Sequence, residues 1–293
     1  MTSSIREHYI LVKRILIIVL ALNWSVALAK IIYGVLSRCV SMTADGFHSF
    51  SDGTSNIIGI LGIYFACQPK DKDHPYGHKK YETFASLGIA FLLFLLAFNL
   101  IKEGIGRLYK PVLPKIELQN FVVMLVTIAV NLWVMQYEKK KGLALKSDIL
   151  ISDAMHTKAD IFTSFGVIIA FCGIKMGYPI IDPITTILIS IFIAYAGYKI
   201  TKESSNVLCD TVAALDLKQI ENIVLGIKGV KTCHKIRTRG RPDDIHVDLH
   251  VQVNPSMHID DAHKISYAIE TELRKGIPQI TDVVVHMEPK KNT

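Results

Sequence analysis

The sequence predicts an α-helical membrane domain of six transmembrane helices, followed by a small cytosolic domain of the α+β class. Half of the 293 residues are hydrophobic and only 20% are charged, a composition that water-soluble proteins of this length rarely have. Several long stretches before about Val207 contain almost no charged residue. After that point the pattern changes to short amphipathic and alternating segments, which are typical of a compact domain in water.

Hydrophobic stretches predict where the chain crosses the bilayer, because a spanning helix needs about 20 mostly apolar residues. Phe84–Ile101 and Leu118–Tyr137 meet that length directly. Ile15–Ala29 meets it if Lys30 snorkels or faces the protein, and no small-residue cleavage site follows it cleanly. We therefore interpret this stretch as a span and not as a signal peptide. The predicted spans are 11–37, 41–66, 84–105, 117–137, 149–175 and 179–200.

The distribution of lysine and arginine predicts the orientation of the spans. An even number of spans places both termini on one side, and basic residues favour the cytosolic side. The N-terminal segment and the loops at 66–84 and 137–149 are rich in basic residues. The loop at 102–116 is also basic and argues the other way, but the other three regions outweigh it. We expect an integral protein of the cell (inner) membrane with both termini in the cytosol.

The formal net charge of +7 raises the question of nucleic-acid binding. The sequence contains no basic patch with interleaved aromatic residues, and cytosolic loops of membrane proteins are ordinarily basic. We therefore expect the lipid bilayer, and no nucleic acid, as a partner.

The C-terminal segment predicts a small α+β domain. Ile245–Val253 alternates strictly between hydrophobic and polar residues, the pattern of a strand with one buried face. Asp216 can cap the helix that follows it. The predicted elements are a helix after Asp216, strands at Gly229–Arg237 and Ile245–Val253, a helix at Asp261–Arg274 and a strand at Val283–His286. This order predicts a ferredoxin-like fold, and we place the two domains at 1–207 and 208–293.

Two clusters of ionisable residues lie inside predicted spans, where such groups are costly and usually mark an ion pathway. The second span contains His48 and Asp52, and the fifth contains His156 and Asp160. The spacing His-x-x-x-Asp places both side chains of a pair on one helix face, one turn apart. Two imidazoles and two carboxylates from facing helices would form a tetrahedral site that suits Zn²⁺. A single membrane histidine often serves only helix packing, but the repeated motif favours a metal site.

Other polar residues near these spans leave alternatives open. Asp45 and Asp153 each precede one of the motif histidines by three residues. Support of the metal ligands, a role in ion entry, or solvation at the membrane rim would each explain them. Asp71, His74 and His78 in the loop after the second span would either converge on a second metal or form a merely polar loop.

The C-terminal domain is rich in histidine. His246 and His250 share one strand face, and His286 shares a face with Glu288 on another strand. Metal binding is one interpretation of this domain, and a solvated polar surface is the other. The six of eleven histidines that fall here are His234, His246, His250, His258, His263 and His286.

Five segments together carry a specific pattern: Ala44–Asp52, Gln68–Glu82, His156–Asp160, Lys235–Arg239 and Val285–Pro289. In these segments the chain resembles the cation diffusion facilitator family, and the resemblance covers nearly the whole sequence. Some bacterial members carry Asp where His48 stands, and a histidine there is closer to members that resemble the zinc-selective ones. Glu288 stands where some members have Asp.

The resemblance implies a homodimer of six-helix subunits that exports divalent metal ions in exchange for protons, with a metallochaperone-like cytosolic domain. It implies Zn²⁺ as both transported and regulatory ion, with Fe²⁺, Mn²⁺, Co²⁺ or Cd²⁺ as alternatives. Carried over by position, the transport site is His48, Asp52, His156 and Asp160, and the loop site is Asp71, His74 and His78. The implied cytosolic ligands are His234, His250, His263, His286 and Glu288.

Rival functions remain from the sequence alone. An iron or manganese exporter of the same family would use the same motifs, and a membrane metal sensor would bind ions without moving them. An intramembrane metalloprotease would need a general-base glutamate, as in His-Glu-x-x-His, and neither span motif has one. We therefore expect a protein that is not an enzyme.

Overall fold

The computed structural model describes residues 3–36, 49–50, 52–109, 118–176, 178, 180–213 and 215–290. The chain divides into two compact units, Met1–Ser204 and Ser205–Thr293. Each unit has hydrophobic cores of its own.

The first unit is helical. Its helices are α1 (Ser3–Leu36), α2 (Thr54–Ala66), α3 (Lys80–Tyr109), α4 (Leu118–Leu145), α5 (Asp148–Lys175) and α6 (Ile181–Leu208). Within the described residues, three stretches are long and apolar enough to cross a membrane, at His8–Ile32, Lys80–Tyr109 and Pro183–Leu208. Helix α2 is apolar but shorter, and the predicted start of its span at 41–48 lies outside the described residues. The helices follow the predicted order, and the count of six spans stays a prediction.

Small residues bring α2 close to α5. Gly59 and Gly62 of α2 face Ile149 of α5, and a Cβ added at either glycine would come within 2.9 Å of that side chain. Only glycine permits this approach, as at other tightly packed membrane helices. The close contact places the start of α2 beside the polar part of α5.

The start of α5 is fixed by buried hydrogen bonds to α3. The carboxylate of Glu82 accepts a hydrogen bond from Ser147 Oγ at 2.5 Å and another from the Ile149 backbone N–H at 3.5 Å. Thr83 Oγ1 donates to Asp148 at 3.1 Å. These contacts satisfy groups at the helix start that have no partner within the helix. They therefore set the position of α5 along α3.

The second unit is a three-stranded sheet with two helices. Its elements are α7 (Leu217–Leu225), β1 (Thr232–Arg241), β2 (Asp244–Val253), α8 (Ile259–Gly276) and β3 (Ile280–Pro289), which confirms the predicted order. The central strand β2 pairs antiparallel with β1 and parallel with β3. Alternate residues of β2 from Ile245 to Val253 are buried in a core with Ile269 and Leu273 of α8. The other face of β2 carries its polar residues.

The boundaries of these elements follow local chemistry. Asp216 caps α7 by accepting a hydrogen bond from the Lys218 N–H at 3.0 Å, as predicted. Helix α8 begins earlier than predicted because the His258 imidazole caps it, accepting from the Asp260 N–H at 3.3 Å. Strand β1 begins later than predicted because Gly229 has a φ of +101°, which belongs to a turn and not to a strand.

Candidate metal centres

The membrane-domain motif forms a compact cluster. Ligand atoms of Asp52, His156 and Asp160 all lie within 4.8 Å of one another. His156 and Asp160 lie one turn apart on α5, and Asp52 immediately precedes the turn that leads into α2. His156 is only 6% exposed. His48, the fourth predicted ligand, lies outside the described residues, so the structure brings the other three together.

A buried lysine lies close to this cluster. Lys30 of α1 is 5% exposed, and its Nζ donates a hydrogen bond to Ser49 Oγ at 3.0 Å. Its ammonium group interacts electrostatically with the Asp160 carboxylate. The sequence left snorkelling open for Lys30, whereas the structure turns it inward. Its positive charge offsets part of the repulsion between Asp52 and Asp160.

A layer of polar side chains adjoins the cluster nearer the start of α5. Asp153 is 1% exposed, which excludes solvation at the membrane rim as its explanation. Its carboxylate accepts a hydrogen bond from the Asn56 amide of α2, and Asn56 in turn accepts one from Asn23 of α1 at 3.2 Å. Glu138 of α4 lies next to Asp153 and is fully buried. The sequence did not indicate Glu138, because three lysines follow it and such a charged run is typical of the end of a span.

The loop residues between α2 and α3 also converge. Ligand atoms of Asp71, His74 and His78 lie within 4.8 Å of one another, the arrangement that a second metal site would need. The Asp71 carboxylate lies 3.0 Å from His74 Nδ1 and 3.4 Å from His78 Nε2. The His74 backbone N–H, which donates to Asp71, holds the pKa of this carboxyl below its ordinary value. Gly77, with a φ of +95°, allows the turn that returns His78 to this point.

The third cluster lies on the polar face of the sheet in the second unit. The strand register aligns His234 of β1, His250 of β2 and His286 of β3. Glu288 lies 2.7 Å from His250 Nδ1 and 3.3 Å from His234 Nε2, and these three residues bring ligand atoms within 4.8 Å of one another. The hydrogen bond with His250 holds the pKa of Glu288 below its ordinary value. The His286 ring lies 4.5 Å from the His250 ring and adjoins the cluster.

His263 is the predicted cytosolic ligand that the structure keeps apart. It is exposed on α8, the helix that packs against the apolar face of the sheet. The cluster of His234, His250 and Glu288 occupies the polar face of β2. Within one chain, the described residues therefore do not bring His263 to that cluster.

Comparison with known proteins agrees with the three clusters of possible metal ligands. Residues 16–209 match the family model described as cation efflux transmembrane domain, and residues 212–290 match the cytoplasmic domain of cation efflux proteins. The chain belongs to the cation efflux family. It is therefore a transporter of divalent metal cations and not an enzyme, with a helical transmembrane domain and a C-terminal cytoplasmic domain.

Relatives in the cation efflux family come from distant organisms. Metal tolerance protein C1 of Arabidopsis thaliana is 25% identical over 90% of this chain, which spans only 59% of that protein. The manganese efflux system protein MneS of Bacillus subtilis is 28% identical over 89% of each chain. The cation-efflux pump FieF of Shewanella oneidensis is 28% identical over 89% of this chain and 88% of its own. A solved cytosolic domain of a cation diffusion facilitator protein is 26% identical, with a TM-score of 0.25, over 26% of this chain and 90% of its own.

Proposed function

We propose that this cation efflux protein exports Zn²⁺ from the cytosol in exchange for protons, and that it works as a homodimer. The cluster of Asp52, His156 and Asp160 supports this proposal, because it joins the start of α2 to the middle of α5 in the membrane domain. Ionisable groups at such a position ordinarily mark an ion pathway. The match of 212–290 to the family's cytoplasmic domain supports the dimer.

The donor atoms favour zinc. Asp52, His156 and Asp160 offer one nitrogen and two oxygen ligands, and His48 would add a second nitrogen. A tetrahedral set of imidazole and carboxylate ligands suits Zn²⁺ well. Mn²⁺ is the second candidate, because carboxylates suit it and because the Bacillus subtilis relative is named for manganese efflux.

Protons would drive release by competing for the same ligands. Imidazole binds metal only when neutral, so protonation of His48 and His156 would expel the ion. Alternating access of the helices around the cluster would then return the site to the cytosol with protons in place of metal. The loop site at Asp71, His74 and His78 would take metal on the cytosolic side.

The second unit, in this proposal, senses the metal and does not carry it. We assign regulatory metal binding to His234, His250, His286 and Glu288, on the polar face of the sheet. The boundary at 207 and 208, the inner-membrane location and the cytosolic termini belong to the same proposal.

Flux through reconstituted vesicles tests the proposal. The full chain in proteoliposomes should move Zn²⁺ with a coupled change of lumenal pH, and Asp160→Asn should reduce the flux to that of empty vesicles. Parallel assays with Mn²⁺, Fe²⁺, Co²⁺ and Cd²⁺ measure selectivity. Mn²⁺ flux well above Zn²⁺ flux would favour the second candidate. Metal binding without flux of any ion would show a sensor instead of a transporter.

A further inference from the structure

Two buried carboxyl groups of the membrane domain are not used by the proposed metal site. Glu138 of α4 is 0% exposed and Asp153 of α5 is 1% exposed. Their carboxyl groups lie within hydrogen-bonding range of each other. The pair joins two helices that pack closely along one another, and neither residue belongs to the cluster of Asp52, His156 and Asp160.

Described side chains donate hydrogen bonds to only two of the four carboxyl oxygens of the pair. Thr157 Oγ1 donates to Glu138 Oε2 at 3.3 Å, and the Asn56 amide donates to Asp153 Oδ2. The other two oxygens, Glu138 Oε1 and Asp153 Oδ1, are buried and have no hydrogen-bond partner among the residues that the structure describes. A buried polar atom without a partner is costly and calls for an explanation.

A single proton held by the pair explains why two buried oxygens have no donor among their described neighbours. Two carboxylates side by side in a buried site cannot both be ionised, so one of them keeps a proton. A carboxyl O–H then supplies a donor where the structure has only acceptors. A Zn²⁺ ion would need about four ligands, whereas this pair offers only two oxygens that no described donor occupies.

We propose that Glu138 and Asp153 form a proton site, separate from the metal ligands, which releases its proton when metal binds and takes one up when metal leaves. The inference rests on the proposed metal–proton exchange and names where one of the exchanged protons resides. When metal binds, the O–H bond of the protonated carboxyl breaks, this carboxyl becomes a carboxylate and its proton passes to water.

The arrangement of charges couples the two sites. Asp153 lies one turn before His156 on α5, and the charge of Asp160 acts on Glu138. A divalent cation at the metal site adds positive charge about one helix turn from Asp153, and this charge stabilises the fully ionised form of the pair. Among the described residues, the titratable groups that act on the pair are Asp160 and His156 on α5, and its neighbours on α2 are the neutral Ser55 and Asn56.

Proton counting in proteoliposomes of the full chain tests this inference. Zn²⁺ entry and lumenal pH are recorded together for the wild type, for Glu138→Gln and for the control Glu103→Gln, which removes an exposed carboxylate of α3. Glu138→Gln should still move Zn²⁺, but with about one proton fewer per ion and with a weaker dependence on pH. Glu103→Gln should keep the wild-type ratio. An unchanged ratio in Glu138→Gln would overturn the inference.

A second readout separates a proton site from a merely structural pair. Purified full-length protein is titrated with Zn²⁺ in two buffers of different ionisation enthalpy, which gives the protons released on binding. Asp153→Asn should release about one proton fewer, as should Glu138→Gln, whereas Glu138→Asp should restore the wild-type number. If both neutral variants release the wild-type number, the pair carries no exchanged proton.

Flux measurements distinguish a failure of this inference from a failure of the proposed function. Wild-type Zn²⁺ flux without proton movement would overturn the inference but would leave metal efflux supported. The absence of any metal flux would refute the proposed function itself.

Discussion

At the scale of single residues, the proposed metal site combines two half-buried carboxylates with a buried imidazole. Two carboxylates, Asp52 and Asp160, share a cluster with the buried His156, and Lys30 offsets only part of their repulsion. Carboxylates that share a site favour the binding of a cation or a proton. The cluster is therefore suited to alternate between metal and protons.

Replacement of Asp160 by asparagine should abolish transport. Asn keeps the shape of the side chain but removes its negative charge, so the site loses an anionic ligand and much of its attraction for a divalent cation. Zn²⁺ flux in proteoliposomes should fall to the level of empty vesicles, while size-exclusion profiles stay those of the wild type. The matched control is Glu203→Gln, which removes an exposed carboxylate of α6. Normal flux in a well-folded Asp160→Asn protein would rule out this ligand.

The pH dependence of metal binding by the cluster on the sheet should come from its histidines and not from Glu288. Because the hydrogen bond with His250 holds the pKa of Glu288 below its ordinary value, this carboxyl keeps its charge at lower pH than an ordinary glutamate does. Imidazole binds metal only in its neutral form, so protons compete with metal for the two histidines, His234 and His250. Zn²⁺ affinity should therefore fall as the pH is lowered, and calorimetry from pH 5 to 8 measures it. Constant affinity down to pH 5 would contradict histidine ligation.

Residue spacing and the family resemblance together named the residues of the three clusters, but they missed Glu138 and left the orientation of Lys30 open. The i, i+4 pair His156 and Asp160 is visible in one dimension because both residues lie on one helix face. Glu138 acquires a partner only when α4 packs on α5, fifteen residues from Asp153 along the chain. The inward orientation of Lys30 likewise depends on tertiary packing.

At the scale of elements, the position of α5 depends on its first turn. Glu82 of α3 binds Ser147 and the Ile149 N–H, and both Glu82 and Ser147 are 0% exposed. The same helix carries His156 and Asp160 two to three turns further on. A shift of this helix end would therefore move the metal ligands with it.

Glu82→Ala should lower both stability and transport. The substitution leaves the buried Ser147 hydroxyl and the Ile149 N–H without this acceptor, which costs about 1–3 kcal/mol in the free energy of unfolding. Thermal unfolding in detergent and Zn²⁺ flux are the measurements. Glu103→Ala, on an exposed part of the same helix, is the control and should leave the unfolding midpoint unchanged. A stable Glu82→Ala protein with wild-type flux would show that the α3 contact does not position α5.

Sequence pattern predicted the order of elements in the second unit better than their ends. The alternation of Ile245–Val253 predicted the central strand because one face of β2 is buried and the other is polar. The start of β1 was misplaced because Gly229 adopts a turn conformation that no hydrophobic pattern reveals. The start of α8 was misplaced because His258, an unusual capping residue, begins it.

At the scale of the whole molecule, the proposed transport cluster and the proposed sensing cluster belong to different compact units. The second unit, Ser205–Thr293, has a closed hydrophobic core built from β2, α7 and α8. Its histidine cluster uses residues of this unit alone. A fragment that starts near the unit boundary should therefore retain both the fold and the site.

The fragment 208–293 should fold by itself and bind Zn²⁺. In this fragment His250→Ala should lower the affinity by at least about tenfold, since even the loss of a residue outside the ligand shell costs that much. His263→Ala is the matched control, because His263 is exposed on α8 and should leave the affinity of one chain unchanged. Circular dichroism and calorimetry measure folding and binding.

In the full chain, His250→Ala should shift the metal concentration that activates flux but retain flux at saturating Zn²⁺, because Asp52, His156 and Asp160 are untouched. A folded fragment without zinc affinity would refute the sensor assignment, and complete loss of flux in His250→Ala would place this domain in the transport path.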